Sequence, residues 1–326
     1  MSTGVLRTGP ASFPAVSAEP PANARSRLLA WRRARPRTPP LERRTVRARG
    51  LDFAVWMTPP VTGATPLLAI NGGLIHPHDL LWPAFAPFAT GRQVILYDQR
   101  GRGETPAPPG LRAARIEHDV LDVPALRAAL GIERWDLAGH SWGGGIALLA
   151  AAEDPDGVRR VVTFDAVGAT SGWLDALHDR ALAHLAARGA VQLHAALAAL
   201  DPSDLFEAHP ERHATYSRTA YAAWFHDPEM LAFAPPFSLS ATGATAAARL
   251  RREGFDWRER FAAVRARVLL IHGAEDAIPL AEAERSAALI PSARVVAIPE
   301  AGHMPFFENP EPTFDAALGF LDADVV

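Results

Sequence analysis

The residue most able to do chemistry in this chain is a serine framed by glycines. Residues 135–145 read WDLAGHSWGGG, in which Gly139, Ser141 and Gly143 form the pattern Gly-x-Ser-x-Gly. In this pattern the serine occupies a sharp turn between a strand and a helix, and small residues on both sides allow the turn. The residues before Ser141 are strand-like, and the Ala- and Leu-rich run 146–152 after it favours a helix. We therefore predict that Ser141 is an exposed nucleophile.

A serine hydroxyl is a weak nucleophile, so it needs a histidine to take its proton and an acid to orient the histidine. In this architecture the chain order is serine, acid, histidine. Asp276 lies shortly after the apolar run 267–271, and His303 follows the next strand-like run, 294–298. We predict that Ser141, Asp276 and His303 form a catalytic triad.

Other acids compete with Asp276 for the same role. Asp165 follows the strand after the serine, where some enzymes of this architecture carry the acid, and Glu275 directly precedes Asp276. We place Asp276 first because a glycine and a proline frame its loop, and we expect Glu275 to face solvent. His272 lies at a strand end, which favours a structural role.

The tetrahedral intermediate of acyl transfer carries an oxyanion that needs preset hydrogen-bond donors. One donor would be the backbone N–H of Trp142, the residue after the nucleophile. The other would come from the loop 71–74, NGGL, where Gly73 is the best candidate because a side chain there would crowd the substrate. His76 and His78 follow this loop, but no carboxylates have ligand spacing with them. We therefore predict no metal site.

These side chains need an element that brings their loops together. Short apolar runs alternate with helix-like segments, which predicts an α/β fold with a mostly parallel sheet covered on both faces. The strand-like runs are 66–70, 93–97, 135–138, 158–164, 267–273 and 294–298, after an antiparallel hairpin at 44–57. The helix-like segments are 79–88, 116–130, 280–289 and 310–321. In such sheets the ligand binds at the carboxyl ends of the strands.

The alternation stops between residues 169 and 265. Here the sequence predicts helices separated by prolines, with one long helical run at 174–200. We predict a helical cap at 169–265, inserted into a sheet domain formed by 43–168 and 266–326. Residues 1–42 are rich in Pro, Ala, Ser and Arg without a sustained apolar period, which predicts a disordered basic, Pro-rich extension. The alternative for its basic segment 25–37 is a short helix that binds a membrane surface or a partner.

The composition excludes several classes of function. The 326 residues carry a net charge of −3, so nothing favours a nucleic-acid partner. The absence of cysteine and lysine excludes thiol and Schiff-base chemistry, and no apolar run is long enough for a membrane span. Since no segment resembles a secretory signal, we expect a cytoplasmic protein. We expect no cofactor and a small-molecule or short-peptide substrate, and the oligomeric state stays open.

Three segments resemble a known family. Residues 71–73 (NGG) are similar to the His-Gly-Gly-Pro-Gly oxyanion loop of proline iminopeptidase-like hydrolases, and residues 97–103 (YDQRGRG) to their Asp-Gln-Arg-Gly-x-Gly segment. Residues 139–144 (GHSWGG) are similar to their Gly-Gly-Ser-Trp-Gly elbow. Over about residues 44–322 the chain thus resembles the α/β-hydrolase superfamily. The resemblance implies that fold with an inserted cap, and an internal ion pair for Arg100.

The sequence of the cap departs from that of the peptidases. They bind the free amino group of the substrate with cap carboxylates, one of them in a Trp-Glu pair, whereas here Phe225 follows Trp224. We predict that Leu74, Trp224 and Phe225 line an apolar substrate pocket. The acids that could replace the missing glutamate are Glu207, Glu211, Asp227 and Glu229, each of which we expect to face solvent.

By the same resemblance, Ser141, Asp276 and His303 are the triad, and Gly73 and Trp142 form the oxyanion hole. The expected activity is cleavage of an acyl bond through an acyl-enzyme on the serine. An aminopeptidase of the proline iminopeptidase type is one form of this activity, and a carboxylesterase, lactonase or carbon–carbon hydrolase is the alternative. The intact triad argues against a third option, a non-catalytic binding protein of the same fold.

Overall fold

An eight-stranded sheet forms the centre of the computed structural model, which describes residues 23–206, 208–234 and 238–323. The strands are β1 (Glu42–Ala48), β2 (Leu51–Met57), β3 (Leu67–Ile70), β4 (Val94–Tyr97), β5 (Trp135–His140), β6 (Val158–Phe164), β7 (Arg267–Gly273) and β8 (Ala293–Ile298). Their order across the sheet is β1-β2-β4-β3-β5-β6-β7-β8. β2 pairs antiparallel with β1 and β4, and the remaining pairs are parallel. The predicted α/β fold with a mostly parallel sheet is confirmed.

The register of the parallel strands brings their carboxyl ends to one edge. Ile70 at the end of β3 pairs with Gly139 of β5, and Phe164 at the end of β6 pairs with both His140 and Ile271. The loops that follow these strands therefore leave the sheet side by side. This edge holds every residue that the sequence predicts to be catalytic.

Helices cover the sheet and form the segment between β6 and β7. The α-helices are α1 (Ala24–Arg33), α2 (Ile116–Ala129), α3 (Trp142–Glu153), α4 (Leu177–Ala187), α5 (Val191–Ala198), α6 (Pro210–Ala220), α7 (Ala241–Glu253), α8 (Arg258–Ala262), α9 (Leu280–Leu289), α10 (Pro305–Glu308) and α11 (Pro310–Asp322). Short 3₁₀ helices span His78–Leu80, Ala86–Thr90, Leu111–Ala113, Ser171–Ala176, Pro202–Phe206, Tyr221–Trp224 and Pro228–Phe233.

The central strands are apolar because both of their faces are buried. In β3, Leu68 and Ile70 belong to the cluster that contains residues of α2 and α3. The alternate residues Leu67 and Ala69 belong to the cluster that contains α1 and α11. This alternation follows from the two-residue period of a strand. It explains why the buried strands lack the polar alternation of the hairpin arm β1.

The segment between β6 and β7, residues 169–265, is called the helical insert below. Its described residues contain α4 to α8 and no strand longer than a single bridge between Thr170 and Asp256. The long helix predicted there is divided into α4 and α5. Gly189, with φ +65°, ends α4, and the N–H of Ala190 returns to the carbonyl of Leu185, a common way to end a helix.

Part of the predicted disordered extension is folded. Residues 1–22 lie outside the described residues, but α1 begins after Asn23, whose side chain caps it. Leu28 of α1 is buried, and the ring of Trp31 stacks on that of Phe314 at 5.0 Å. The prediction of disorder is therefore wrong for α1. This helix has too few apolar residues to show a clear helical period in the sequence. Its burial is evident only from the surface against which it packs.

The predicted helix at 79–88 is instead a pair of 3₁₀ turns, because prolines within it cannot donate the N–H bonds of an α-helix.

Among the described residues, no helix has the length and apolar character that crossing a bilayer requires.

Candidate active site

Ser141 occupies the predicted turn between β5 and α3. Its backbone has φ 55° and ψ −120°, a conformation that residues with a side chain rarely adopt. A Cβ on Gly139 would lie 2.3 Å from the carbonyl oxygen of Gly143, and a Cβ on Gly143 would lie 2.1 Å from that of Ile70. Both positions therefore require glycine, which confirms the physical reason for the Gly-x-Ser-x-Gly pattern.

The acid and the histidine of the predicted triad are in contact. His303 Nδ1 lies 2.8 Å from Asp276 Oδ2, and Asp276 Oδ1 accepts a hydrogen bond from the backbone N–H of Ile278 at 3.1 Å. Because a carboxylate can only accept, Nδ1 carries the hydrogen, and Nε2 carries the lone pair. Ser141 and His303 both line one cavity of about 70 Å³.

Burial sets the protonation of this pair. His303 is 2 % exposed, and burial lowers its pKa to about 3 because the protonated ring would lose its water. Burial also raises the pKa of Asp276, while its contacts with His272 and the backbone act in the opposite direction. The ring of His303 is therefore neutral near pH 7, as a general base must be.

Neighbouring elements hold the backbone of His303. Its N–H donates to the carbonyl of Trp224 at 2.6 Å, and its own carbonyl accepts from His140 Nε2 at 2.9 Å. The Trp224 ring lies edge-on to the His303 ring, with centroids 4.4 Å apart. Sequence reasoning missed the role of His140. The available signal was a histidine directly before Ser141, at the end of strand β5 and after the apolar Leu137 and Ala138.

A buried carboxyl group supports the same loop. Glu308 Oε2 accepts from the N–H of Gly302 at 2.7 Å, and Oε1 accepts from the N–H of Asp227 at 2.9 Å. Burial raises the pKa of Glu308 to about 8. The carboxyl group thus links the loop that carries His303 to the helical insert.

The predicted oxyanion donors lie on the wall of the same cavity. Gly73 and Trp142 line it together with Ser141, and so does Leu74. Gly73 and Leu74 have φ values of +71° and +57°, so the loop turns sharply as it leaves β3. This arrangement allows backbone N–H groups from two elements to meet a charge on the substrate.

The reason for the glycines in this loop differs from the one predicted. A Cβ on Gly72 would lie 2.8 Å from the Cβ of Ser141, so this glycine permits the close approach of the loop to the nucleophile. A Cβ on Gly73 would lie 2.4 Å from His76 Cδ2. A side chain at Gly73 would therefore collide with His76 before it reached a substrate.

The cavity is apolar with a few neutral polar groups. Leucine and tryptophan side chains from the insert form much of the wall, and the described lining includes no Asp, Glu or Arg. Burial lowers the pKa of His76 to about 3 and the pKa of His213 below its ordinary value. These histidines are neutral near pH 7, so the cavity as described carries no net charge.

The three predicted pocket residues have different positions. Leu74 and Trp224 line the cavity, whereas Phe225 does not. Phe225 is fully buried in the cluster below the sheet edge, with its ring 6.0 Å from that of Tyr221. The 3₁₀ turn ends at Trp224 and the chain continues extended, which points the next side chain away from the cavity. This corrects the prediction for Phe225.

The two acids that compete with Asp276 have other hydrogen-bond partners. Glu275 is partly exposed and pairs with Arg188 at 2.6 Å, as expected for a solvent-facing residue. Asp165 is fully buried and accepts from the N–H of Gly273 at 2.7 Å. His272 is also buried, with Nε2 2.9 Å from a backbone carbonyl, which fits a structural role.

The described acids of the helical insert that were considered above, and His78, do not line the cavity that contains Ser141. Glu211, Asp227 and Glu229 do not line the cavity, and Glu207 lies outside the described residues. His78 stacks on the ring of Trp56, with centroids 3.5 Å apart.

The ion pair predicted for Arg100 is confirmed. Its Nε donates to Asp122 Oδ2 at 2.7 Å in the interior, between the loop after β4 and helix α2. The loop is therefore structural, as the resemblance implies.

Comparisons with known proteins agree with this architecture. A proline iminopeptidase of Levilactobacillus brevis is 33% identical over 117 residues, and one of Lactobacillus delbrueckii subsp. bulgaricus is 30% identical over 138 residues. These matches span 35% and 39% of this chain but only 39% and 46% of those relatives.

Solved structures share the fold over most of their length. The proline iminopeptidase of Mycobacterium smegmatis superimposes with a TM-score of 0.61 at 24% identity, over 86% of this chain and 97% of that one. The enol-lactonase of Burkholderia xenovorans LB400 gives a TM-score of 0.61 at 20% identity, over 87% and 100%. Residues 66–310 match the sequence profile of the alpha/beta hydrolase fold. The chain therefore belongs to the α/β-hydrolase family.

Proposed function

We propose that the protein is a serine hydrolase that forms an acyl-enzyme on Ser141. His303 Nε2 removes the proton from Ser141 Oγ while Oγ bonds to the carbonyl carbon of the substrate. The oxyanion accepts hydrogen bonds from the N–H groups of Gly73 and Trp142. The imidazolium, stabilised by Asp276, gives its proton to the leaving group as the carbonyl re-forms.

Water then completes the reaction with the same groups. His303 takes a proton from a water molecule, and the hydroxide adds to the acyl carbon. When the tetrahedral intermediate collapses, Ser141 Oγ leaves and regains its proton from His303. The observation that carries this proposal is the 2.8 Å contact of His303 with Asp276 beside the cavity that Ser141 also lines.

The charge of the cavity favours uncharged acyl substrates, such as esters or lactones. A substrate with a free amino group would lose its water on entry, and the described lining holds no carboxylate to compensate. His213 and the hydroxyl of Ser217 can hydrogen-bond a neutral polar group instead. We therefore infer that esterase-type activity exceeds aminopeptidase activity.

The aminopeptidase remains the second candidate because the sequence matches above are to proline iminopeptidases. A paired assay separates the two activities. Purified protein is given proline and alanine anilides in one series and esters of short acyl chains in the other. Turnover of the esters alone supports our inference, and faster turnover of the anilides would replace it by the aminopeptidase.

The nucleophile is tested by replacing Ser141 with Ala. We expect Ser141→Ala to lose ester turnover and labelling by a fluorophosphonate probe while keeping its circular dichroism spectrum. Ser292→Ala is the matched control, because Ser292 lies at the opposite edge of the sheet and its hydroxyl donates to the carbonyl of Ala266. Labelling or turnover that persists in the folded Ser141→Ala protein would overturn the assignment.

A further inference from the structure

Two buried carboxyl groups meet at the ends of neighbouring strands. Asp165 follows β6, its backbone N–H donates to the carbonyl of Ile271 at 2.9 Å, and its Oδ1 accepts from the N–H of Gly273 at 2.7 Å. Asp276 lies in the loop after β7, and both aspartate side chains are fully buried. One oxygen of each carboxyl group lies within 4.8 Å of the other. The mechanism proposed above uses only one of these two acids.

His272 lies beside both acids but hydrogen-bonds to neither, since its Nε2 is 3.6 Å from Asp276 Oδ2. Its Nε2 is 2.9 Å from the carbonyl of Ile278, and a carbonyl can only accept, so Nε2 carries the hydrogen. Its Nδ1 is 3.9 Å from Asp165 Oδ1, which is too long for a hydrogen bond. Burial lowers the pKa of His272, so the ring stays neutral near pH 7.

The second oxygen of Asp165, Oδ2, is buried without a hydrogen-bond partner among the described residues. The carboxyl groups of Asp165 and Asp276 are close enough for a hydrogen bond between them to shift the pKa of each. Two carboxyl groups can share a hydrogen bond only when one of them is protonated. The question is therefore which of the two carries the proton.

The surroundings assign the proton to Asp165. Asp276 accepts from the imidazole of His303 and from the N–H of Ile278, and both bonds favour its ionised form. Burial, followed by the charges of Asp276 and Glu308, raises the pKa of Asp165 well above its ordinary value. The contact with Asp165 in turn lowers the pKa of Asp276.

We propose that Asp165 stays protonated near neutral pH and that its O–H donates a hydrogen bond to Asp276. This bond keeps Asp276 ionised and oriented toward His303. Asp165 is thus a positioning residue that acts through the acid of the triad. Its effect on catalysis rests on the function proposed above, whereas its protonation does not. An experiment can therefore disprove the protonation of Asp165 without disproving the proposed function, and the reverse.

Two replacements of Asp165 separate the donor from the bulk of the side chain. Asp165→Asn keeps an acceptor for Gly273 and places an N–H group where the O–H donates. Asp165→Leu removes both the acceptor and the donor. We expect kcat for ester hydrolysis to fall by roughly 10- to 100-fold in Asp165→Leu, with little change in KM, and by no more than about threefold in Asp165→Asn. Equal losses in both variants, or none in either, would contradict the proposal.

The pH profile gives a second readout. In the wild type, loss of the shared proton places a second negative charge beside Asp276, so kcat should fall on the alkaline side. Asp165→Asn cannot lose this proton and should lack that alkaline limb. An identical limb in the wild type and Asp165→Asn would show that Asp165 is only a packing residue.

The third readout needs no activity. We expect the infrared difference spectrum of wild type minus Asp165→Asn at pH 7 to contain the C=O stretching band of a protonated carboxylic acid. Because the spectrum is a difference, the band of Glu308 cancels. Its absence would overturn the proposal. If Ser141→Ala retained turnover, the band would still report the proton of Asp165, so the two failures remain distinct.

Discussion

At the scale of single residues, the strained backbone of Ser141 is held by its neighbours. Its N–H donates to the carbonyl of Phe164 at 2.9 Å, and its carbonyl accepts from the N–H groups of Gly144 and Val167 at 2.9 and 3.3 Å. A positive φ in a residue with a side chain costs about 1–3 kcal/mol. The sheet and α3 therefore supply the stability that holds Ser141 at the wall of the cavity, where it is 4 % exposed and not open to solvent as predicted.

This strain predicts a difference in stability between two variants of Ser141. Ser141→Ala and Ser141→Gly both lack the hydroxyl, but glycine adopts a positive φ without steric cost. We expect Ser141→Gly to be more stable than Ser141→Ala by about 1 kcal/mol. Urea denaturation of both proteins measures this difference, and equal or reversed stabilities would mean that the turn is unstrained.

The buried imidazole predicts the acid side of the pH profile. His303 acts as a base only when it is neutral, and burial lowers its pKa to about 3. The protonated fraction therefore stays small until the pH falls far below about 6.5, the ordinary value for histidine. We expect the acid limb of kcat/KM to have its midpoint below 6.5, with circular dichroism as the control for folding. A midpoint at or above 6.5 would contradict this prediction.

At the scale of elements, one arginine connects three of them around the site. Arg102, in the loop after β4, is fully buried and donates from Nε to the carbonyl of Leu74 at 2.7 Å. Its Nη1 and Nη2 donate to the two carboxylate oxygens of Asp119 in α2 at 2.9 and 3.2 Å. The loop of the predicted oxyanion donors is thus fixed to a helix through a single side chain.

We expect loss of the Arg102 side chain to lower the free energy of unfolding. Arg102→Met leaves Asp119 buried without its partner, and breaking a buried pair costs about 3–5 kcal/mol. Arg43→Met is the control, because the pair of Arg43 with Glu104 is exposed and worth about 0–1 kcal/mol. Urea denaturation compares the two variants. A similar decrease in the free energy of unfolding in both variants would show that the buried Arg102 pair stabilises the protein no more than the exposed Arg43 pair.

The elements were predictable where their residues repeat a local pattern. The run 67–70 is buried on both faces, and its apolar composition predicts this directly. The break at Gly189 depends on one residue inside an Ala- and Leu-rich run, which the helical pattern of its neighbours obscures. Helix α1 was only the less favoured prediction because Leu28 and Trp31 find their partners in α11, far away in the chain.

At the scale of the whole molecule, the cavity lies between the sheet edge and the helical insert. Leu177 of α4 lines it, whereas Leu185 of the same helix is buried against other residues of the insert. A cavity of about 70 Å³ favours short acyl chains. The insert therefore sets the size of the substrate in our proposal.

A widened cavity should change the preferred chain length. We expect Leu177→Ala to raise the ratio of kcat/KM for longer acyl esters to that for acetyl esters, whereas Leu185→Ala leaves the ratio unchanged. Both changes cost about 2–5 kcal/mol of stability, so the assay is run well below the melting temperature. An equal shift in the two variants would exclude Leu177 as a determinant of chain length.

The arrangement of the site was predictable as far as chain order determines it. Ser141, Asp276 and His303 each follow a strand, and parallel strands share one edge, so their placement at one edge of the sheet follows from the sequence. The contacts of His140 with the backbone of His303 depend on loop conformation, which no local pattern encodes. The same holds for Phe225, whose direction is set by where a 3₁₀ turn ends.

The hydrogen bond from the His303 N–H to the carbonyl of Trp224 has a mechanical consequence. The bond joins the main chain of the predicted base to that of a residue on the cavity wall. If Trp224 moves to admit a substrate, this bond breaks or the backbone of His303 moves with it. In our proposal, substrate entry at Trp224 and the position of the base are therefore coupled.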